Sequence, residues 1–320
     1  MTVVALVIGR AGTGAAWDNG GGAGIGVAVP DCGQTTTFSA PPRRVVILNP
    51  AISDALIDLG MGNRIVAQSG TTGLAEPLPQ NKAVMDRVPV LSAHGMTSTA
   101  ALLAVSPDLV ISDEAEWLNP EFGGASPRQL QKAGIKTYIS VSGCRHGTTG
   151  KVAEVFTDID NYGQIFDVRD KATQMVSSLK ARLNGIEARV ADKPKVPVFE
   201  FYGQEGQFFN TAVGIEKDAL DMSGGMSIVL NSTGMKPTSK EVITAANPEA
   251  FIELEEPGKA IDQEKEAAAL KRAFPTTDAA KNGRIYFLNV AQAASPGTTR
   301  IIDGIAARAT WLHPDAFGSR

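Results

Sequence analysis

The chain has 320 residues, 43% of them hydrophobic, and this is long enough for two domains or lobes with separate cores. Its net charge is −4, it has no basic block, and no apolar run reaches about 18 residues, which disfavours a nucleic-acid binder and a membrane-spanning chain. The composition is also too apolar for a disordered chain. These totals predict a soluble protein with two lobes.

The N-terminal 30 residues predict a flexible tether, because a stretch rich in glycine and alanine occupies residues 9–26. The apolar run at residues 3–8 is too short for the core of a signal peptide and follows no basic residue. After the tether, residues 45–48 and 65–67 predict buried strands. An amphipathic helix with Ile52 and Leu56 on its apolar face is expected between these strands.

Strands and helices continue to alternate along the chain. In the first half, helices are predicted at 98–105 and 127–133, and strands at 109–111 and 137–141. In the second half, strands are predicted at 198–201, 250–252 and 285–288, and helices at 240–246, 263–273 and 300–312. This alternation is typical of parallel sheets with helices on both faces.

One helix is predicted to be much longer than the others. Apolar residues with helical spacing form a single stripe from residue 167 to 190, with Asp167 placed to cap its start and Pro194 to end it. Residues 102–111 also resemble residues 243–252, which suggests two similar lobes. The predicted fold class is α/β, with two doubly wound lobes of mostly parallel sheets joined by one long rigid helix.

Domain boundaries follow from this pattern. We expect the tether at 1–30, the first lobe at 31–150, a helical connector at 151–194 and the second lobe at 195–320. The two cysteines, Cys32 and Cys144, are not in CxxC spacing, so a zinc site is not supported. Their separation fits either two buried thiols or one disulfide in an exported protein.

Common enzyme signatures are missing. The glycine run at 20–26 contains no G-x-G-x-x-G, residues 147–151 only approximate a P-loop, and no G-x-S-x-G is present. The three histidines, His94, His146 and His313, are widely dispersed, which disfavours a multi-histidine metal site. The sequence therefore favours a binding protein with no catalytic residues and no cofactor.

Candidate ligand-binding residues follow from the position of the predicted strands. Ligands of doubly wound sheets bind beyond the carboxyl ends of the strands, which here selects the loops at 113–117, 143–146, 202–209 and 291–300. These loops carry aromatic and basic side chains that suit a ligand with an apolar or conjugated body and anionic oxygens. The candidates are Trp117, Arg145, His146, Tyr202, Phe208, Phe209 and Arg300. Alternatively, the tryptophan and phenylalanines belong to the core and the arginines to surface ion pairs.

Short segments in a fixed order carry a resemblance to a known family. They are PRRVV at 42–46, ALIDLG at 55–60, NRIV at 63–66, SPDLVI at 106–111, YGQIF at 162–166 and GRIY at 283–286. Over residues 30–315 the chain resembles the ABC-transporter substrate-binding proteins that have a single rigid interlobe helix. That group includes ferric-siderophore, haem and vitamin B12 binders. The DCG segment at 31–33 resembles actinobacterial members with a second cysteine at the Cys144 position, which implies a Cys32–Cys144 disulfide and export.

The resemblance implies a function. An exported, monomeric binding protein would capture a ferric siderophore, which is a small-molecule metal chelate, between its lobes and deliver it to an ABC permease and its ATPase. It would work outside the cytoplasm, with or without a lipid anchor. The alternatives are a corrinoid, haem or other cofactor-like ligand, a surface binder uncoupled from transport and, in another class, an α/β enzyme acting on metal chelates.

Family members dock on the permease through one exposed glutamate on each lobe. In the second lobe, SKEV at 239–242 matches this pattern and makes Glu241 the candidate. In the first lobe, Ala100 occupies the matching position, so docking at two points is not implied there. The nearby Glu114 is an alternative acidic residue.

Overall fold

The computed structural model describes residues 26–70, 77–93, 96–145, 149–230, 232, 234–255, 261–293 and 297–318. His94, His146, the side chain of Arg145 and the predicted tether up to residue 25 lie outside this description. Among the helices in these ranges, none is both long enough and apolar enough to cross a membrane.

The first lobe contains seven of the described strands and four of the described α-helices. Its strands are β1 (Val27–Asp31), β2 (Gln34–Phe38), β3 (Val45–Ile47), β4 (Ile65–Ser69), β5 (Val90–Ser92), β6 (Leu109–Ser112) and β7 (Lys136–Ile139). Its helices are α1 (Ala51–Asp58), α2 (Pro79–Met85), α3 (Thr99–Ala104) and α4 (Pro127–Lys132). Short 3-10 helices lie at Gly62–Arg64, Ala115–Leu118, Pro120–Phe122 and Val141–Arg145.

Five parallel strands form the sheet of the first lobe, in the order β5-β4-β3-β6-β7. Both faces are covered, so β3 is apolar throughout: Val45 and Ile47 belong to one core cluster, and Val46 to the cluster on the opposite face. From β3 the chain continues to β4 and β5 on one side of this strand, and it then crosses to β6 on the other side. The carboxyl ends of β3 and β6 therefore form the switch point where such sheets bind ligands.

An N-terminal hairpin was not predicted from the sequence. β1 and β2 pair in antiparallel orientation around the turn residues Cys32 and Gly33, whose φ angles are 45° and 80°. Two positive φ angles in a two-residue loop suit the twist of a hairpin. Residues 26–30 were assigned to the tether, and this boundary is wrong, because Val27 and Val29 are buried in the core.

The connector consists of α5 (Val152–Ile165) and α6 (Arg169–Val190), which pack against each other. The long helix is confirmed, and its buried side chains follow the predicted stripe. Asp167 does not cap it: this residue has a φ of 58°, and Val168 occupies the N-cap position without a side-chain hydrogen bond. The left-handed residue redirects the chain between α5 and α6. The rigidity of α6 stays a prediction.

The second lobe contains the remaining strands and helices. Its strands are β8 (Val196–Gln204), β9 (Gln207–Asn210), β10 (Gly225–Ser227), β11 (Lys236–Pro237), β12 (Ala250–Glu255) and β13 (Ile285–Asn289). Its helices are α7 (Gly214–Met222), α8 (Lys240–Ala246), α9 (Gln263–Ala273), α10 (Asp278–Asn282), α11 (Val290–Ala293), α12 (Ile301–Leu312) and a 3-10 helix at Pro314–Phe317.

The second sheet is mostly parallel and has the order β11-β9-β8-β12-β13, with β10 also paired to β8. Residues 202–209, predicted as a loop, are instead the end of β8, a two-residue turn and most of β9. The turn residues Glu205 and Gly206 have φ angles of 51° and 76°, as in the first hairpin. The predicted α/β fold class with two lobes and a long helix is confirmed.

The two lobes are in direct contact. α12 packs on α6, and Ile301 and Ile305 belong to the same core cluster as Val45 of the first lobe. Ala51 at the start of α1 contacts Ala291 in α11. The carboxyl ends of the two sheets therefore lie next to an interface whose residues come from both lobes.

Candidate functional site

The switch point of the first sheet is held by one side chain. Asn49 lies two residues after the end of β3 and donates from Nδ2 to Asp113 Oδ2 at 2.5 Å, while its Oδ1 accepts the Ala51 backbone N–H at 2.9 Å. Asn49 thus fixes the loop after β6 and also satisfies a free N–H group at the start of α1. Gly143 allows a close approach here, since a Cβ atom on it would lie 1.6 Å from the Asp113 carbonyl oxygen.

Residues of both lobes meet beside this switch point. A Cβ atom on Gly150 would lie 2.9 Å from Ser142 Cβ and 3.4 Å from Ile215 Cβ of the second lobe. The backbone N–H of Val152 donates to Asp218 Oδ2 at 2.9 Å. We call this region, with Asp113 and Ser142 on one side and Ile215 on the other, the lobe junction.

A buried ion pair joins the lobes. Arg300, at the N-cap of α12, donates from Nε to Asp54 Oδ2 of α1 at 2.6 Å, and its Nη2 contacts the same oxygen. The side chains are 6% and 0% exposed, respectively. Asp54 Oδ1 also accepts from Asn81 Nδ2 at 2.7 Å. Arg300 was predicted to contact ligand, and its guanidinium is here engaged with the opposite lobe.

A second buried pair supports α12 from within its own lobe. Arg308 donates from Nε and Nη2 to the two carboxylate oxygens of Glu200, at 2.7 and 2.8 Å. Both side chains are fully buried. This bidentate geometry is the strong form of an arginine–carboxylate contact. It links α12 to the centre of β8 and so fixes this helix and this strand relative to each other within the second lobe.

Carboxyl groups dominate the lobe junction. Burial raises the pKa of Asp113, and burial together with the neighbouring Asp113 and Glu116 raises the pKa of Glu114. In the second lobe, burial also raises the pKa of Glu216, in the first turn of α7, well above its usual value. These carboxyl groups therefore bind protons more tightly than carboxyl groups in water do.

A groove of about 600 Å³ opens at the carboxyl end of the second sheet. It lies between the tip of the β8–β9 hairpin, the start of α8 and one face of α9. We call it the hairpin groove, and its polar and aromatic lining includes Tyr202, Gln204, Phe208, Lys240, Glu253 and Glu266. It therefore brings together two of the predicted ligand residues, Tyr202 and Phe208.

The other predicted residues occupy different positions. Trp117, in the 3-10 helix after β6, is half-buried against the core of its own lobe. Phe209 is half-buried and pairs with Tyr202 across the hairpin. The backbone of Arg145 ends the 3-10 helix that follows β7. His146 lies outside the described residues, so its role stays a prediction.

The docking candidates lie on equivalent helices. Glu241 is in the first turn of α8, where Ser239 Oγ accepts the Val242 N–H, and Ser98 caps α3 next to Ala100 in the same way. Hydrogen bonds from its own backbone N–H and from Ser239 lower the pKa of the exposed Glu241. At this matched position, α8 therefore carries an ionised carboxylate, that of Glu241, and α3 carries none.

The predicted disulfide is present between Cys32 and Cys144. It connects the turn of the N-terminal hairpin to the 3-10 helix Val141–Arg145, which follows β7 and adjoins the lobe junction. Asp31 supports the same link, because its Oδ1 accepts the Ile139 backbone N–H at 2.9 Å.

Several acidic residues of the site were missed by sequence reasoning. Asp54 and Glu253 stand within apolar segments, α1 and β12, where every flanking side chain is expected in the core. A charged residue inside such a segment is rare unless it is paired or functional, and this was the available signal.

A buried carboxyl beneath β7 makes stability pH-dependent. Asp158 Oδ1 accepts from Tyr138 Oη at 2.5 Å and from the Val141 N–H at 3.0 Å, but within the described residues no partner reaches Oδ2. Burial raises its pKa from 3.8 to about 7. The folded state therefore binds this proton more tightly than the unfolded state does.

We expect the free energy of unfolding to fall as pH rises from about 4 to 7, by on the order of 3 kcal/mol for this group alone. Asp158→Asn keeps the acceptor for Tyr138 and removes the charge, so its loss of stability over this range should be smaller. Urea denaturation at pH 4 and pH 7 measures both proteins. Equal losses in both would show that Asp158 does not titrate in this range.

A family model and several known proteins match this chain. The family described as Periplasmic binding protein matches residues 45–291. An uncharacterized ABC transporter substrate-binding lipoprotein of Bacillus subtilis is 23% identical over 289 residues, covering 89% of this chain and 84% of that protein. A vitamin B12-binding protein of Photorhabdus laumondii is 22% identical over 218 residues, covering 67% of this chain and 71% of that protein.

Solved structures with this fold include a periplasmic binding protein from Veillonella parvula, with a TM-score of 0.78 and 20% identity, covering 91% of this chain and 98% of that one. An ABC-type Fe3+-hydroxamate transport system structure from Saccharomonospora viridis has a TM-score of 0.73 and 21% identity, covering 92% and 100%. A periplasmic heme binding protein from Pseudomonas aeruginosa has a TM-score of 0.68 and 21% identity, covering 85% and 93%.

Proposed function

Because the chain belongs to the periplasmic binding protein family, we propose that it captures a ferric siderophore between its two lobes and delivers it to a membrane permease. The coarser assignment follows from the family: the chain is a substrate-binding component of an ABC transporter, and it is not an enzyme. A permease and an ATPase are its implied partners. We place it outside the cytoplasm, which its similarity to a substrate-binding lipoprotein supports.

The observation that carries the ligand proposal is the hairpin groove. Tyr202 and Phe208 offer aromatic surface to a ligand at the carboxyl end of the second sheet. A volume of about 600 Å³ lies in the range of small-molecule sites. The iron-hydroxamate transport structure with the same fold supports a siderophore as the ligand class.

A corrinoid or haem is the second candidate, because a vitamin B12-binding relative and a heme-binding structure share this fold. Haem would require an axial ligand, and Tyr202 is the residue of the groove that could serve as one. An intense Soret band after addition of haem would favour this reading.

Docking on the permease is proposed to use Glu241. The carboxylate is exposed at the start of α8, while Ala100 provides no charge at the matching place on α3. Contact through the second lobe would therefore contribute more electrostatic attraction than contact through the first. The helix macrodipole further stabilises this carboxylate.

Tryptophan fluorescence tests the ligand proposal. The protein is titrated with ferrioxamine B, a ferric catecholate, cobalamin and haem, with correction for inner-filter absorption, and we expect saturable quenching by an iron chelate at submicromolar concentration. Tyr202→Ala should weaken binding by about tenfold or more, because it removes an aromatic contact in the groove. Phe122→Ala, at an exposed position of the first lobe, is the control and should bind normally.

A response to cobalamin or haem alone would retain the transport class and replace the ligand. If none of the four compounds produces quenching, the ligand proposal is wrong.

A further inference from the structure

The carboxylate of Glu253 lines the hairpin groove, and one of its two oxygens accepts no hydrogen bond from the described residues. Glu253 lies in β12, between Ile252 and Leu254, and is only 5% exposed. Its Oε1 lies close to Gly203, where an added Cβ atom would be 2.7 Å away. Within the described residues, no hydrogen-bond donor reaches its buried Oε2. An unpaired buried carboxylate oxygen is costly, so it needs a donor from elsewhere.

The surroundings of Glu253 add negative charge. The carboxyl groups of Glu266, in α9, and Glu255, at the end of β12, are close enough to disfavour its ionisation. Glu266 lines the groove with Glu253, whereas Glu255 accepts a hydrogen bond from Gln263 Nε2 at 2.8 Å. Burial and these two neighbours raise the pKa of Glu253 to about 7. A cation placed beside it would favour the ionised form.

The aromatic side of the groove is also suited to a cation. Tyr202 and Phe208 line it, and the ring face of an aromatic side chain attracts ammonium groups. Lys240 already uses this property, with Nζ 5.9 Å from the centre of the Phe208 ring. Because Lys240 is exposed on α8, its charge is solvated and leaves the buried carboxylate of Glu253 uncompensated.

We propose that the hairpin groove binds a protonated amine of the ligand, with Glu253 and Glu266 accepting its hydrogen bonds and Tyr202 packing against it. This inference rests on the proposed function and narrows it to chelates with a cationic arm. Triply anionic catecholate complexes would be repelled by the same carboxylates. The groove thus acts as a specificity site on the second lobe.

Ferrioxamine B and its N-acetylated form test the proposal, because acetylation converts the charged terminal amine to a neutral amide and leaves the iron-binding part unchanged. We expect the wild-type protein to bind ferrioxamine B about tenfold or more tightly, as suits a charge-assisted hydrogen bond. Glu253→Gln should abolish this preference. Glu264→Gln, at an exposed position on the same helix as Glu266, is the matched control and should retain it. The preference should also increase from pH 6 to pH 8 in the wild type, as Glu253 ionises.

A second probe makes the groove testable without any chelate. N-acetylcadaverine carries the same amine on a short chain, and we expect it to shift the amide resonances of Gly203 and Gly206 in NMR spectra of the wild type but not of Glu253→Gln. If N-acetylcadaverine causes these shifts but no iron chelate binds, the siderophore assignment is overturned and the amine site is retained. Equal binding of the two ferrioxamines, without amide shifts, would overturn the amine site and retain the transport function. Circular dichroism verifies that Glu253→Gln is folded.

Discussion

Arg300→Ala is expected to lower the free energy of unfolding by about 3–5 kcal/mol, because it leaves the buried carboxylate of Asp54 without its cationic partner. Both side chains are buried, and Nε lies 2.6 Å from Asp54 Oδ2. The remaining donors, Asn81 Nδ2 and the Leu78 backbone N–H, are neutral and do not balance the charge. Denaturant unfolding followed by circular dichroism measures the change.

Two further variants separate this pair from an ordinary surface contact. Arg182 pairs with Asp303, one turn from Arg300 on α12, but the side chains of that pair are 49% and 34% exposed. We expect Arg182→Ala to cost about 1 kcal/mol or less. The double variant Asp54→Leu/Arg300→Leu should cost less than Arg300→Ala, because no lone charge stays buried. If Arg300→Ala is no more destabilising than Arg182→Ala, the pair does not hold the lobes together.

Loss of the disulfide is expected to have an effect of similar size. Cys32 and Cys144 are separated by 112 residues, and the closed loop includes all five strands of the first sheet. On the chain-entropy account, a loop of this length contributes roughly 4.7 kcal/mol by restricting the unfolded chain. The Cys32→Ser/Cys144→Ser variant should therefore unfold at a much lower denaturant concentration than the oxidised wild type.

A reducing agent provides the control for this prediction. It should lower the unfolding midpoint of the wild type towards that of the double variant and leave the double variant unchanged. Far-UV circular dichroism of the double variant should still show a folded protein, because Cys32 is exposed and Cys144 is only partly buried against the core of the first lobe. Equal midpoints for the oxidised wild type and the double variant would contradict the prediction.

Periodicity was sufficient for the main elements of the fold. The apolar residues of α6, β3 and β12 are buried, and burial is the property that a hydrophobicity pattern predicts most directly. Both hairpins were missed for a different reason. Their turns place Cys32 and Glu205 at positive φ, and neither is a residue that typically marks such a turn. β2 is also mostly polar, so its sequence carries no strand pattern.

The candidate site was only partly accessible from the sequence. The rule about the carboxyl ends of strands pointed to Tyr202 and Phe208, which line the hairpin groove, because strand positions were predictable. Their contact with a ligand stays a prediction. The rule does not reveal which charges become buried or paired across lobes. Arg300 was therefore assigned to ligand contact without knowledge of Asp54, 246 residues away in sequence. The acidic character of the groove, due to Glu253 and Glu266, depends on tertiary packing in the same way.

Capture of the ligand between the lobes is tested most directly by hydrogen–deuterium exchange with and without ferrioxamine B at saturation. The account predicts slower exchange in one segment of each lobe, residues 113–118 after β6 and residues 202–209 at the end of β8 and in β9. The N-terminal hairpin at residues 27–38 should be unaffected. Slower exchange in the second lobe alone, or in neither segment at saturation, would contradict capture between the lobes.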